Sequence, residues 1–168
     1  MNRALAGNVV ALPVPNGQAL IMSVDEADCV FCAILAGRLE SSRVYEDERV
    51  LAFMDIQPVT PGHLLVIPRQ HVPYLEDLDE QLGAHVFRVA HRLARALRRT
   101  DLRCEGVNLF LADRQAAFQE VFHVHLHVFP RYVGDPFRIK ATWKTRGRDE
   151  LDRAAAQVRQ GLTALAKE

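Results

Sequence analysis

The segment FHVHLHVFP, residues 122–130, places a histidine at every second position of an otherwise apolar run. Successive side chains of a β-strand point to opposite faces of a sheet. The sequence therefore predicts that His123, His125 and His127 line one face, with neighbouring imidazoles about 6.6 Å apart. The three aliphatic residues between and after them are predicted to join a core on the other face. A slip of one residue would exchange the two sets, so the register is strongly specified.

Three histidines on one strand face allow several kinds of chemistry. A functionless polar face is disfavoured, because solvated strand faces normally use other polar side chains. One zinc ion bound by all three is also disfavoured, since the outer two residues lie about 13 Å apart and a Zn–N bond is only about 2 Å long. A division of labour fits better. One neutral imidazole acts as a nucleophile near pH 7, and a neighbour stabilises charge or binds a separate metal.

Composition limits the classes of protein that fit. The chain of 168 residues is long enough for one domain with a sizeable core. The formal net charge is zero, so no bulk attraction to nucleic acid or to an anionic membrane is predicted. No apolar run approaches the ~20 residues that span a bilayer. The three cysteines, without a clear secretory signal, argue against a disulfide framework and predict a cytoplasmic protein.

The remaining patterns predict an α+β domain with an antiparallel sheet, because hairpin-like connections outnumber crossovers. Residues 1–24 are predicted to be a disordered extension, 25–140 the main domain and 141–168 a helical tail. Within the domain, a short helix begins at a cap on Asp28 and ends at Gly37. The other predicted elements are strands at 43–47, 49–56, 63–68, 106–113 and 122–130, and a long helix at 79–100 capped by Asp79.

The long helix has two faces of different character. Every third or fourth residue along one face is aliphatic, which predicts that this face is buried. A stripe of arginines follows another face, and in a neutral protein such a stripe is more often solvated than phosphate-binding. The aliphatic stripe consists of Leu82, Val86, Val89, Leu93 and Leu97, and the basic stripe of Arg88, Arg92, Arg95 and Arg99.

Cys29 and Cys32 form a CxxC pair, a spacing that is common among zinc ligands. The pair alone is also compatible with two cysteines that simply pack at the start of a helix. A redox role is disfavoured, because no βαβ pattern surrounds the pair.

The chain around the three histidines resembles the histidine triad (HIT) family, whose signature is His-φ-His-φ-His-φ-φ with φ apolar. Residues 123–129 match this signature at every position, and the resemblance extends over about residues 28–138. It implies a five-stranded antiparallel sheet, and a homodimer whose two sheets join into ten continuous strands. The other matching segments are CVFCAILAG, VLAFMDIQPVTPGHLLVIPRQH, GVNLF and QEVF, in family order.

The resemblance also implies chemistry at the α-phosphate of a nucleotide, with adenine or another purine as base. His125 matches the nucleophile, which forms a nucleotidyl-histidine that water then hydrolyses. His127 matches a donor to a non-bridging α-phosphate oxygen. Gln119 matches a residue that binds the phosphates or the leaving group. Asp55 matches the ligand of the ribose hydroxyls.

The resemblance completes a metal site around the CxxC pair. His71 and the first histidine of the triplet match positions that some HIT relatives use as zinc ligands. Cys29, Cys32, His71 and His123 are therefore predicted to hold one structural zinc ion per chain. A closed site with four ligands leaves no open position for catalysis. It would instead clamp the N-terminal helix to the strand that carries the nucleophile.

Several residues bear on the substrate. The run Phe129-Pro130-Arg131 with Gly134-Asp135 resembles the branch that cleaves dinucleoside polyphosphates, which is the predicted substrate class. Ala112 occupies a position where many relatives place a phosphate-binding asparagine. Asn108 lies nearby but out of register, and it is a candidate substrate-binding residue. Phe118 and Glu120 flank Gln119 where Gly and Ser or Thr are frequent, and a carboxylate there would repel a phosphate unless it points away. A purine nucleoside phosphoramidase and a nucleotide-binding sensor with little turnover remain alternatives.

Overall fold

A computed structural model describes residues 10–12, 20–22 and 25–167. The strands are β1 (Val10–Leu12), β2 (Leu20–Met22), β3 (Arg43–Glu46), β4 (Val50–Met54), β5 (Leu64–Pro68), β6 (Gly106–Leu111) and β7 (Leu126–Arg131), and the helices are α1 (Val30–Leu35), α2 (Glu80–Leu97) and α3 (Arg148–Leu165). The last five strands form one antiparallel sheet in the order β3-β4-β5-β7-β6. The predicted α+β architecture with a five-stranded antiparallel sheet is confirmed.

The N-terminal extension contains two short strands. β1 pairs antiparallel with β2, with Val10 opposite Met22 and Leu12 opposite Leu20. Residues 1–24 are the segment predicted to be disordered. Apart from β1 and β2, these residues lie outside the part of the chain that the structure describes.

The five-stranded sheet separates two apolar layers, because alternate residues of each strand face opposite sides. On β4, Val50 and Ala52 belong to the cluster that contains the buried face of α2. Leu51 and Phe53, one residue out of phase, belong to a second cluster with residues of α1. The aliphatic stripe of α2 is buried and its arginine stripe is exposed, as predicted. Each fully buried aliphatic side chain contributes about 1.5–3 kcal/mol.

Of the two predicted helix N-caps, one is confirmed and the other is wrong. Asp79 caps α2, and its side chain accepts a hydrogen bond of 2.8 Å from the backbone N–H of Leu82. The prediction that Asp28 caps α1 is wrong: the cap position belongs to Cys29, and Asp28 ends a preceding 3₁₀ turn. Gly37 follows α1 with φ +71°, the left-handed conformation that favours glycine at this position.

The strand that carries the histidines is shorter than predicted. β7 begins at Leu126 rather than at residue 122. The backbone N–H of His123 donates a hydrogen bond to the carbonyl of Val121, so the chain bends before the hydrogen-bonded pairing of β7 begins. Only His127 therefore lies in the regular strand. Val124 and the aliphatic residues of β7 at 126 and 128 are buried, as predicted.

The described chain divides into two compact units after Pro136. The second unit contains α3, which lies within the segment 141–168. None of its residues is buried, and its apolar side chains at Leu151, Val158 and Leu162 are exposed. Among the described residues, no helix combines the length and the apolar character needed to cross a membrane.

Candidate functional site

Four side chains from separate parts of the chain converge beside the sheet. The donor atoms of Cys29, Cys32, His71 and His123 all lie within 4.8 Å of one another. Nδ1 of His123 is 3.5 Å and 3.6 Å from the two sulfur atoms, and Nδ1 of His71 is 3.3 Å from Nδ1 of His123. Donors around a tetrahedral zinc ion are about 3.3–3.8 Å apart, given its bond lengths. The structure thus brings all four predicted ligands into a candidate metal site.

The protein orients His123 through its second ring nitrogen. Nε2–H of His123 donates to the carbonyl of Pro68 at 2.9 Å, so the lone pair of Nδ1 faces the cluster. Burial, with a smaller contribution from Cys29, raises the pKa of Cys32 to about 12. A bound cation would supply the positive charge that favours the thiolates. Two thiolates and two imidazoles form a donor set that zinc prefers.

The central histidine presents one basic nitrogen. Nδ1–H of His125 donates to the backbone carbonyl of His123 at 2.7 Å. A neutral imidazole carries a single proton, so Nε2 of His125 retains its lone pair. Burial lowers the pKa of His125, which keeps the ring neutral. The side chain is 5% exposed. The ring can therefore act as a nucleophile through Nε2.

The third histidine of the triplet lies directly beside the second. The ring centroids of His125 and His127 are 4.9 Å apart. Burial, together with the neighbouring His125 and His63, lowers the pKa of His127 to about 4. Two neutral imidazoles can thus reach the same group of a ligand.

Two further residues complete this side of the site. Asp55 follows β4, and its Oδ2 lies 3.8 Å from Nδ1 of His127 and 3.5 Å from Nε2 of His63. Nε2 of His63 lies 2.9 Å from Nδ1 of His127. His63 was not among the predicted site residues, because it belongs to no periodic motif and reaches the triplet only through the pairing of β5 with β7. In that pairing Leu65 is opposite His127.

The two amide residues predicted to bind substrate are engaged elsewhere. Gln119 is buried; its Oε1 accepts from the N–H of Arg114, and its Nε2 donates to the carbonyls of Pro73 and Val121. Gln119 therefore ties its loop to the segment that follows β5. The side-chain oxygen of Asn108 accepts a hydrogen bond from Arg131. Direct contacts of either amide with a ligand remain predictions.

The loop before the triplet contains the departures noted in the sequence. Ala112 is buried. The backbone of Phe118 is in the left-handed region, with φ +69°, and the residue is 81% exposed. Glu120 is exposed, and its negative charge raises the pKa of His125, opposing the larger effect of burial. Glu120 therefore acts electrostatically on the central imidazole.

Comparison with known proteins matches this arrangement to one family. The model of the HIT domain matches residues 36–134, which is more than half of the chain. The chain belongs to the HIT family. A Bacillus subtilis relative named Protein hit is 43% identical over 123 residues, which cover 73% of this chain and 83% of that protein.

Solved structures of HIT proteins share the fold. The crystal structure of a HIT family member from Bacillus subtilis is 38% identical, with a TM-score of 0.71, and the match covers 79% of this chain and 95% of that one. A Zn-bound histidine triad family protein from Mycobacterium smegmatis is 41% identical with a TM-score of 0.65, covering 82% and 99%. The family resemblance of the sequence is confirmed.

Proposed function

We propose that this HIT protein is a nucleotide hydrolase or nucleotidyl transferase that acts at an α-phosphate. The predicted substrate class is a dinucleoside polyphosphate. The observation that carries the proposal is the hydrogen bond from Nδ1 of His125 to the carbonyl of His123. This bond fixes the tautomer in which Nε2 is the nucleophilic atom, and burial keeps the ring neutral.

In this mechanism, Nε2 of His125 attacks the α-phosphorus. A P–N bond forms as the bond from phosphorus to the leaving oxygen breaks, and the leaving group departs with the bonding electrons. Water then attacks the phosphorus of the nucleotidyl-histidine, loses a proton, and releases a nucleoside monophosphate and His125. A transferase would use another nucleophile in place of water. Two easier displacements thus replace one difficult displacement.

The neighbouring residues have complementary roles in the proposal. His127 donates a hydrogen bond to a non-bridging oxygen, where negative charge must be held during the displacement. Asp55 accepts hydrogen bonds from the ribose hydroxyls. The half-buried position of Asp55 beside His127 supports this assignment.

The candidate metal site would hold one structural zinc ion per chain. The two thiols and two imidazoles provide four ligands, which leaves no open position for a substrate. Zinc there would join α1, the end of β5 and the segment before β7. The zinc-bound relative from Mycobacterium smegmatis supports the choice of metal.

The protein is further proposed to act as a cytoplasmic homodimer with a nucleotide as its other partner. Cys29, Cys32 and Cys104 are all free thiols, which suits a reducing compartment. Among the described residues, β6 is the last strand at one edge of the five-stranded sheet. It carries Phe110, which is 40% exposed, and this edge would pair with a second copy. A molecular mass from sedimentation analysis that is twice the 18.9 kDa of one chain would support the dimer.

A purine nucleoside phosphoramidase is the second candidate, and Glu120 favours it. The carboxylate of Glu120 is exposed and acts electrostatically on His125. Such a charge disfavours an anionic polyphosphate leaving group more than an amine leaving group.

The test is a substrate panel of diadenosine polyphosphates and adenosine phosphoramidate, combined with mass-spectrometric trapping of the covalent intermediate. We expect a nucleotidyl adduct on His125 during turnover. His125→Ala should lose roughly 10⁴-fold or more of the activity and keep nucleotide binding. Full turnover by that variant would refute the mechanism. Nucleotide binding without turnover by the wild type would instead indicate a sensor.

A further inference from the structure

The C-terminal helix α3 carries a regular apolar repeat. Its members are spaced by four, three, four and three residues, and they are Leu151, Ala155, Val158, Leu162 and Leu165. This is the spacing of the a and d positions of a coiled coil, in which one helix packs along another. We propose that α3 packs antiparallel against α3 of a second copy of the chain. The inference rests on the proposed homodimer and adds a contact to it.

The exposure of the repeat indicates that α3 needs a partner helix. Val158, Leu162 and Leu165 are 61–64% exposed, and Leu151 is 43% exposed. Most of the stability of a helix in a protein comes from packing of its apolar face, not from intrinsic propensity. Gly161 in the interior of α3 lowers that propensity further. A second helix with the same repeat would cover this face.

The order of large and small residues fits an antiparallel pair. In an antiparallel coiled coil an a position faces a d position of the other helix. Leu151 then faces the partner's Leu162, and Ala155 faces the partner's Val158. The two-fold axis repeats both layers, because each contact of an isologous interface occurs twice. In a parallel pair each position would face itself, and two small Ala155 side chains would share one layer.

The charges beside the repeat also favour the antiparallel orientation. Asp152 and Arg159 occupy the two e positions next to it. In an antiparallel pair e positions face each other, so Asp152 faces the partner's Arg159, and symmetry forms this ion pair twice. In a parallel pair e positions face g positions. These hold Gly147, Ala154 and Gly161, which carry no charge, so no ion pair would form.

The other flank of the repeat carries only small side chains. Ala154 and Gly161 occupy g positions and would face each other across the antiparallel pair. No heavy atom lies within 4 Å of the point where a Cβ atom of Gly161 would stand. A glycine at this point lets the backbone of a second helix approach closely.

A membrane surface is the competing partner for an exposed amphipathic helix. Helices that bind membranes usually have a polar face rich in lysine and arginine. In α3 three basic residues are balanced by three acidic residues, and these are Arg148, Arg153, Arg159, Asp149, Glu150 and Asp152. The balanced charge favours another copy of α3 over an anionic surface.

Disulfide cross-linking of the full-length, zinc-loaded protein tests the packing. The variant is Leu151→Cys/Leu162→Cys in a Cys104→Ser background. Within one helix these positions are about 16 Å apart along the axis, too far for a disulfide, which needs Cα atoms within about 7 Å. Mild oxidation should therefore give a covalent dimer in which mass spectrometry finds peptide 151 linked to peptide 162. Arg153→Cys/Ala164→Cys has the same spacing on the outer face and should stay uncrosslinked.

Charge reversal tests the ion pairs. Asp152→Arg or Arg159→Asp alone would place like charges opposite each other twice, and we expect the dissociation constant of the dimer to rise roughly 10-fold. The double variant should recover most of this loss. Residues seven apart on one helix are not neighbours, so the recovery must come from contact between two chains. Sedimentation equilibrium measures the constants, and zinc content and circular dichroism report whether the fold is intact.

Several outcomes would overturn the inference. A covalent dimer formed by Leu151→Cys alone would show that the helices are parallel. A wild-type dimer whose cysteine variant forms no 151–162 link would leave the proposed homodimer standing and exclude α3 from it. A wild-type chain that is monomeric at every concentration would refute the homodimer and the inference together. Turnover of the substrate panel is measured separately and tests the proposed activity alone.

Discussion

The ring of Phe31 packs edge to face against the ring of His125, with centroids 5.3 Å apart. The same phenyl ring also contacts His123, with centroids 5.8 Å apart. Phe31 lies on α1 between Cys29 and Cys32, so one short helix carries two candidate metal ligands and a side chain that contacts the proposed nucleophile. The candidate metal site and the proposed nucleophile are therefore mechanically connected.

This connection predicts the effect of removing the metal. Cys32→Ser should lose most of the bound zinc, because a hydroxyl is a far poorer ligand than a thiolate. The free energy of unfolding should fall by roughly 3 kcal/mol or more, as for other losses of a bound metal. Turnover should fall as α1 loosens. Elemental analysis, urea unfolding and the substrate panel measure the three effects.

The matched control is Cys104→Ser. Cys104 is half-buried and lies outside the candidate metal site. We expect this variant to keep one equivalent of zinc and wild-type activity. Wild-type protein that contains no zinc, or a metal-free form as stable as the loaded form, would contradict the assignment.

Phe31→Leu tests the contact itself. Leucine keeps the position apolar and removes less volume than the Phe→Ala changes that cost about 3–5 kcal/mol, so the protein should stay folded and keep its zinc. The imidazole of His125 loses an aromatic neighbour that restricts its orientation, and we expect kcat to fall several-fold with little change in nucleotide affinity. Steady-state kinetics and binding titrations separate the two quantities.

Phe53→Leu is the control for this change. Phe53 packs on Phe31 in the same cluster, with centroids 5.6 Å apart, and makes no ring contact with a histidine among the described residues. It should show a similar loss of stability without the loss of kcat. Equal losses of kcat in the two variants would mean that the effect arises from general loosening of the core.

Residue types and spacing predicted the parts of the site that follow the chain locally. The CxxC pair and the signature histidines are visible in the sequence, and all four predicted metal ligands meet in space. The aliphatic stripe of α2 and its cap on Asp79 are equally local. The long-range assembly of the metal ligands was predicted from the family resemblance, since no spacing in the chain brings His71 to Cys29.

The rest depends on tertiary structure that a sequence pattern does not contain. A bend at His123 replaces the first part of the predicted regular strand, and the His123 side chain contacts Pro68 and Cys32 instead of lining a strand face. The side-chain amide of Gln119 forms hydrogen bonds with backbone groups that come within reach only when the loop is folded. His63 enters the site through strand pairing alone. Alternation in a sequence predicts faces, but not where a strand starts.

Stability should depend on pH through Asp47, in the turn between β3 and β4. Burial alone would raise the pKa of Asp47, but hydrogen bonds from the N–H groups of Arg49 and Val50, from His85 and from Tyr45 outweigh it and hold the pKa well below its usual range. A depressed pKa in the folded state contributes stability above the pKa of the unfolded chain. This contribution is lost as the pH falls through about 4 toward the folded value.

The measurement is the free energy of unfolding in urea between about pH 7 and pH 3, where the carboxyl titrates in the unfolded chain. The difference between wild type and Asp47→Asn should shrink steadily over this interval, and the metal site cancels because both proteins contain it. Glu48→Gln, at the neighbouring and exposed residue of the same turn, should change the free energy of unfolding at pH 7 much less than Asp47→Asn does. A difference for Asp47→Asn that stays constant from pH 7 to pH 3 would contradict the prediction.

The charge of Glu120 should influence which leaving group the site accepts. Glu120→Gln removes a negative charge that acts on His125. A polyphosphate leaving group is anionic, so removing the carboxylate lowers the electrostatic repulsion that it meets. An amine leaving group has no negative charge and is not repelled in this way. We expect kcat/KM for diadenosine polyphosphates to rise by about 3- to 10-fold, the effect of roughly 1 kcal/mol between partly screened charges. The value for adenosine phosphoramidate should stay level or fall.

Salt and a distant carboxylate provide the controls. Because the effect is electrostatic and exposed, the gain in Glu120→Gln should diminish as ionic strength rises. Asp101→Asn changes the charge equally but lies just beyond α2, which packs on the sheet face opposite the imidazoles, so neither substrate should be affected. If Glu120→Gln changes both substrates equally at every salt concentration, Glu120 does not select the leaving group. The choice between the two candidate substrates must then come from the exposed ring of Phe118 or from another contact.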